Sequence, residues 1–387
     1  MTRTNYCNSR MILHEHSPVE KNINVAQKLV SSKVILPQEI STKVVYNDSY
    51  LIIDPAINIT ATGDATFNNC TLEIENIHND GDFSGIRVFN GGKLSFKNST
   101  IIASNATGLI PPGDILFEIG SGGIIESSSF NPKTNDGYGP KLHIQTSNLV
   151  VSDSYFRKAE LNVHGTYNII RDSVFNYTRI LVTGQIENLF ESRTRITNNT
   201  IFKNGIRLFY SKGNILEKNR LISAIIYLEI ADNNTIAHNS ISQGTHDETS
   251  GIDIFASNEN MVIRNNISFN EGYGMTVEAF SKLNTIQYNT IHNNFQHGIV
   301  LKQAEKTVIK DNIIFYNGKG PYSISNSENT VFTNNTDNFG NIIPYAGESS
   351  LLPLLVLACS GGVILLAASS VFIVKKRRNK AKHQKDQ

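Results

Sequence analysis

Three carboxylates fall at matching places in a short recurring element: Glu229 in IIYLE, Asp253 in GIDIF and Glu278 in GMTVE. Alternate residues of an extended strand share a face, so these acids point away from the apolar pairs such as Ile252/Ile254. If successive elements stack as neighbouring strands about 4.8 Å apart, Asp253 comes within carboxylate-pair reach of Glu278 or Glu229. Such a pair does glycosidic acid–base chemistry when one pKa is raised. Outward positions of the same elements carry Arg207, Phe209, Tyr227, Phe255, Thr276, Val300 and Lys302. Rings at Tyr227 and Phe255 suit stacking on a sugar, and the acids suit its hydroxyls. The loop SQGTHDETSG places His246, Asp247 and Glu248 beside Asp253. A solvated strand face of mixed charge is the plain alternative.

Metal chemistry has fewer ligands to draw on. Copper needs clustered His, Met or Cys. His143 and His164 occupy similar places in adjacent units, His14 and His16 lie two apart, and the chain has four Met. No metal site is expected. Cys7, Cys70 and Cys359 make neither a disulfide framework nor metal-type spacing. No phosphate loop, Ser-His-Asp order or Gly-rich nucleotide fingerprint is present.

The elements that must position these residues form a repeat. From Ile196 onward the pattern is apolar, two residues, Asn, one residue, apolar. Its copies are ITNNTI, LEKNRL, IAHNSI, VIRNNI, IQYNTI, VIKDNI and VFTNNT, with starts separated by 20, 20, 26, 24, 22 and 23 residues. A fixed motif at this period marks a solenoid. The alternating element GIRLF, IIYLE, GIDIF, GMTVE, GIVLK or PYSIS precedes each later copy. Each coil therefore holds three short strands: the Gly-Ile element, one ending at the repeated Asn, and one following it directly. Stacking aligns Asn199, Asn219, Asn239, Asn265, Asn289, Asp311 and Asn334 in a structural ladder. Asn suits a two-residue corner because it tolerates the left-handed region and bonds its own backbone.

The first half is looser: RVFNGGKLSFKNSTI, LFEIGSGGIIESSSF, LHIQTSNLVVSDSYF and LNVHGTYNIIRDSVF each read strand, turn, strand, polar corner, apolar residue. The expected fold class is all-β: a right-handed, single-stranded parallel β-helix of eleven to twelve coils over residues 46–342, plus one C-terminal transmembrane α-helix. Residues 1–45 are expected to hold an N-terminal segment and amphipathic cap, and 343–350 a linker.

Leu351 to Val374 reads LLPLLVLACSGGVILLAASSVFIV without a charge. As a helix it spans roughly 36 Å, enough for a hydrocarbon core of about 30 Å. The tail 375–387 carries seven Lys or Arg and one acid, which leaves 28 cations against 33 anions elsewhere, a body charge of −5. The basic tail predicts a cytoplasmic C-terminus and an extracellular body on a single-pass membrane protein. An acidic body gives nucleic acid nothing to bind. Outward export calls for a signal peptide; Met1 to Val30 shows no apolar h-region, and a start upstream of Met1 is expected.

The unit GIDIFASNENMVIRNNI resembles the parallel β-helix repeat of the pectate-lyase-like superfold. It is most similar to NosD-type β-helices and to carbohydrate-binding and sugar-hydrolysis repeat proteins. The resemblance covers about three quarters of the chain, and it implies activity on the outer face of the first strand, where the acids above lie. It implies polysaccharide, glycan or envelope-protein partners. Three functions stay open: a surface-anchored glycan binder or scaffold, a polysaccharide lyase (with Ca²⁺) or glycosidase using Asp253, Glu278 and Glu229, and a subunit of a membrane maturation complex.

Overall fold

The computed structural model describes residues 34–54, 56–75, 84–103, 113–184, 190–244 and 250–344. The expected transmembrane helix, the basic tail and most of the expected N-terminal cap lie outside the described residues. Among the described residues no helix is long and apolar enough to cross a membrane.

Every pairing between named strands is parallel, and three stacks run along the chain. The first contains the Gly-Ile elements, such as Ser250–Phe255, Tyr273–Glu278 and His297–Lys302. The second contains the strands before the repeated corner, such as Ile215–Glu217 and Thr235–Ala237. The third follows that corner, as in Asn266–Ser268 and Thr290–His292. The second stack is a separate sheet of thirteen strands. Thr200–Phe209 and Arg220–Glu229 run through the remaining corner without a break, and so join the other two stacks into one sheet.

Among the described residues thirteen coils exceed the expected eleven to twelve, because stacking begins upstream of residue 46. Val34–Ile35 pairs with Leu51–Ile52, and Glu39–Ile40 with Asn58–Ile59. The described end of the expected cap is therefore β-strand and belongs to the solenoid.

Alternation puts one apolar column per strand inside. Ile252, Met275 and Ile299 are in register and fully buried, as are Ile254, Val277 and Leu301. Each such side chain contributes about 1.5–3 kcal/mol of apolar burial. The first half fills its core with rings. Phe130, Phe156 and Phe175 stack with centroids 4.5 and 4.9 Å apart, and Phe175 then meets Ile201 in the next coil.

The polar ladder changes chemistry at the same coil. In the first half the backbone N–H of each rung donates to a hydroxyl on the next: Ser128 to Ser154 at 3.2 Å, Ser154 to Ser173 at 3.1 Å. Ser173 then donates to Asn199 Oδ1 at 3.0 Å, and Asn219, Asn239, Asn265 and Asn289 continue upward. Each amide adds a bond from its Nδ2 to the next Asn, as from Asn199 to Asn219 at 3.0 Å. Asp311 and Asn334 do not belong to this ladder. Asn312 and Asn335 hold those places, because Ile309, and not Val308, pairs with Ile286, and Phe332, and not Val331, pairs with Ile309, so that Ile309 and Phe332 point inward. Two adjacent apolar residues hid a one-residue shift in register. The left-handed conformation also falls one residue earlier than expected, at Lys218, His238, Arg264, Tyr288 and Asp311. The ladder Asn is thus required for its buried amide and not for its φ. A second ladder, through Asn214, Asn234, Asn260 and Asn284, leads into the second stack.

Candidate functional site on the first stack

Parallel pairing sorts the outward side chains of the first stack into straight columns. Arg207, Tyr227, Asp253, Thr276 and Val300 form one, and Phe209, Glu229, Phe255, Glu278 and Lys302 another. The two columns lie side by side because they are two residues apart on each strand. The expected acids, rings and cations therefore share one face.

The three acids differ in their surroundings. Glu229 is ion-paired to Arg207, whose guanidinium also lies 5.2 Å from the ring centres of Phe209 and Tyr227. Glu278 has Lys302 3.6 Å away. Asp253 has no cation as its direct partner among the described residues; it accepts a 2.6 Å hydrogen bond from Thr276 Oγ1. Burial pushes the Asp253 carboxyl up to about 6; the Thr276 bond and Lys302 oppose this, and Glu278 adds to it. Burial, Glu229 and Asp253 raise the Tyr227 phenol. So the arrangement is two compensated glutamates around one weakly compensated aspartate.

A third column, not anticipated, borders the site: Ser250, Tyr273 and His297, in register one rung apart. Ser250 Oγ donates to Thr276 Oγ1 at 3.1 Å, extending the Thr276–Asp253 link one step inward. The Lys302 ammonium lies 5.8 Å from the Tyr273 ring centre. Among the described residues His297 Nδ1 is buried without a hydrogen bond, as is Arg207 Nε. Burial, aided by Lys319, lowers the His297 pKa and favours the neutral ring. In the sequence this column is the residue before the glycine in SGI, YGM and HGI. Contacts with Thr276 and Lys302 set Ser250 and Tyr273 beside the acids, whereas strict alternation would turn a residue two before the buried Ile252 or Met275 inward. Val300, also outward, is 2% exposed and offers no polar contact.

His246, Asp247 and Glu248 lie outside the described residues. Among the described residues no group of three or more His, Cys, Asp or Glu is arranged to hold a metal ion. Acid–base work on a bound hydroxyl is within reach of Asp253, and ring stacking within reach of Tyr227 and Phe255, the latter 36% exposed.

Residues 188–337 match the family described as the right handed beta helix region. No curated protein matches the chain. Among solved structures, a double mutant of a periplasmic alginate epimerase is similar with a TM-score of 0.56 at 15% identity, over 80% of this chain and 84% of that one. An alginate lyase in complex with a trisaccharide reaches 0.54 at 12% identity, over 80% and 86%. The chain is a right-handed parallel β-helix protein, as the repeat's resemblance implied. At these identities the likeness concerns the fold.

Proposed function

We propose that the outer face of the first stack binds a polysaccharide, centred on Asp253, and that the protein presents this face outside the cell from a membrane anchor at residues 351–374. The observation that carries the reading is the flat strip of Tyr227, Phe255, Arg207, Glu229, Asp253, Glu278 and Lys302, which joins stacking rings to hydrogen-bonding groups of both signs. Rings of this kind offer apolar contact area to a pyranose, and neighbouring charged groups fix its hydroxyls. The fold's likeness to an alginate epimerase and an alginate lyase supports a glycan over an envelope-protein partner. The uncharged run and basic tail support the anchor and its direction.

One observation favours chemistry as well as binding. A carboxyl held near pH 6 can be protonated or ionised in the working range, as a general acid or base requires. The experiment is a panel of acidic and neutral polysaccharides offered to the full chain, read for both binding and product. Binding without product supports a lectin-like role. Product formation lost in Asp253→Asn supports an enzyme. Neither binding nor product on any member refutes the proposal. Protease treatment of intact cells tests the topology: a body left uncut would overturn the outward orientation.

A further inference from the structure

Below the Asp253 site, the same face carries a second polar cluster that the site does not use. Asp114, Lys141, Glu160 and Arg179 form one column, which runs on through Gly205 and Ile225, and Leu116, His143, Asn162 and Leu181 form the continuation of the site's central column. His143 Nε2 lies 3.6 Å from Asp114 Oδ2. Arg179 and Lys141 both pair with Glu160, so the cluster's border holds two cations on one acid. Asn162 is only 8% exposed, although it sits on the outer face. Its Oδ1 makes no hydrogen bond among the described residues, nor does Asp114 Oδ1. Buried polar atoms without partners are rare, and two of them beside a histidine pair point to a ligand that completes them. Burial and the neighbouring His143 lower the His164 pKa, which keeps a neutral ring able both to donate and to accept.

His143 and Asp253 lie five rungs apart on one straight column. That is about 24 Å, and a pyranose unit advances by about one rung's height. We infer that Asp114, His143, Asn162 and His164 form a second saccharide site, and that both sites grip one polymer about five units apart. This rests on the polysaccharide reading of the Asp253 site and adds a length requirement to it. A short oligomer occupies either site alone. A long one bridges both, and the second contact becomes intramolecular, with an expected gain on the order of 100-fold or more.

Titration calorimetry of the full chain tests this with alginate oligomers of about three and about nine units as probes. The expected result is two short oligomers per chain, or one long oligomer bound at least about 100-fold more tightly. Asn162→Ala and His164→Ala should reduce the short-oligomer stoichiometry to one and remove the length gain. They should leave the Asp253 site's own affinity in place. One short oligomer per chain, or equal affinity for short and long, would overturn the second site while leaving the first. Failure of any oligomer to bind would overturn both.

Discussion

Thr276 donates its hydroxyl to Asp253 Oδ1 at 2.6 Å across one rung, and Thr276 is itself 4% exposed. This bond favours the ionised carboxylate, yet burial outweighs it. The folded-state pKa of about 6 lies above the ordinary value of 3.8. Between those values the folded chain holds a proton that the unfolded chain has lost. Stability is therefore greater at low pH and falls as pH rises through about 6. Asp253→Asn should be more stable than the parent at pH 8, by up to about 3 kcal/mol, and nearly equal at pH 4. Denaturation of both proteins at the two pH values checks the sign. Thr276→Val should push the Asp253 midpoint higher still, visible as a shifted titration.

Asn265 accepts from both the backbone and the amide of Asn239, and donates to the carbonyl of Ile236 at 2.8 Å. Asn265→Ala strands these groups in a dry interior and should cost about 3 kcal/mol or more. Asn265→Ser should cost less, because Ser173 and Ser154 show that a hydroxyl accepts the same backbone N–H. Asp311→Asn, one register step off the ladder, should change stability by no more than about 0.5 kcal/mol. Chemical denaturation of the three variants ranks them.

Phe156 stacks between Phe130 and Phe175 with interplanar angles of 6° and 9°. Phe156→Ala should cost about 3–5 kcal/mol. Ile241→Val, in the aliphatic half of the same stack, removes one methyl and should cost about 1 kcal/mol. If the two variants were equally stable, the ring stack would not support the first-half coils.

The register of the second half was legible because Gly-Ile elements and corner asparagines recur at nearly constant spacing. The columns of Arg207, Tyr227, Asp253, Glu278 and Lys302 followed from alternation alone. The ladder was misread where the pattern was ambiguous: at VIKDNI and VFTNNT two apolar residues stand side by side, and only pairing shows that Ile309 and Phe332 face inward. The first-half ladder was hidden because Ser99, Ser128, Ser154 and Ser173 look like ordinary turn residues. A hydroxyl at a corner carries no sign of burial in one dimension. Ser250 and Tyr273 were not legible, because strict alternation turns a residue two before the buried Ile252 or Met275 inward, and only the contacts with Thr276 and Lys302 set them beside the acids.

The central claim is that a polysaccharide lies along the first stack. Hydrogen-exchange footprinting of the full chain, with and without a polysaccharide that binds in the panel, tests it most directly. Protection confined to residues 205–209 and 225–229, Ser250–Phe255, Tyr273–Glu278 and His297–Lys302, and lost in Tyr227→Ala, is the predicted result. Protection confined to second-stack strands such as Ile215–Glu217 and Met261–Ile263, unaffected by Tyr227→Ala, would contradict the account.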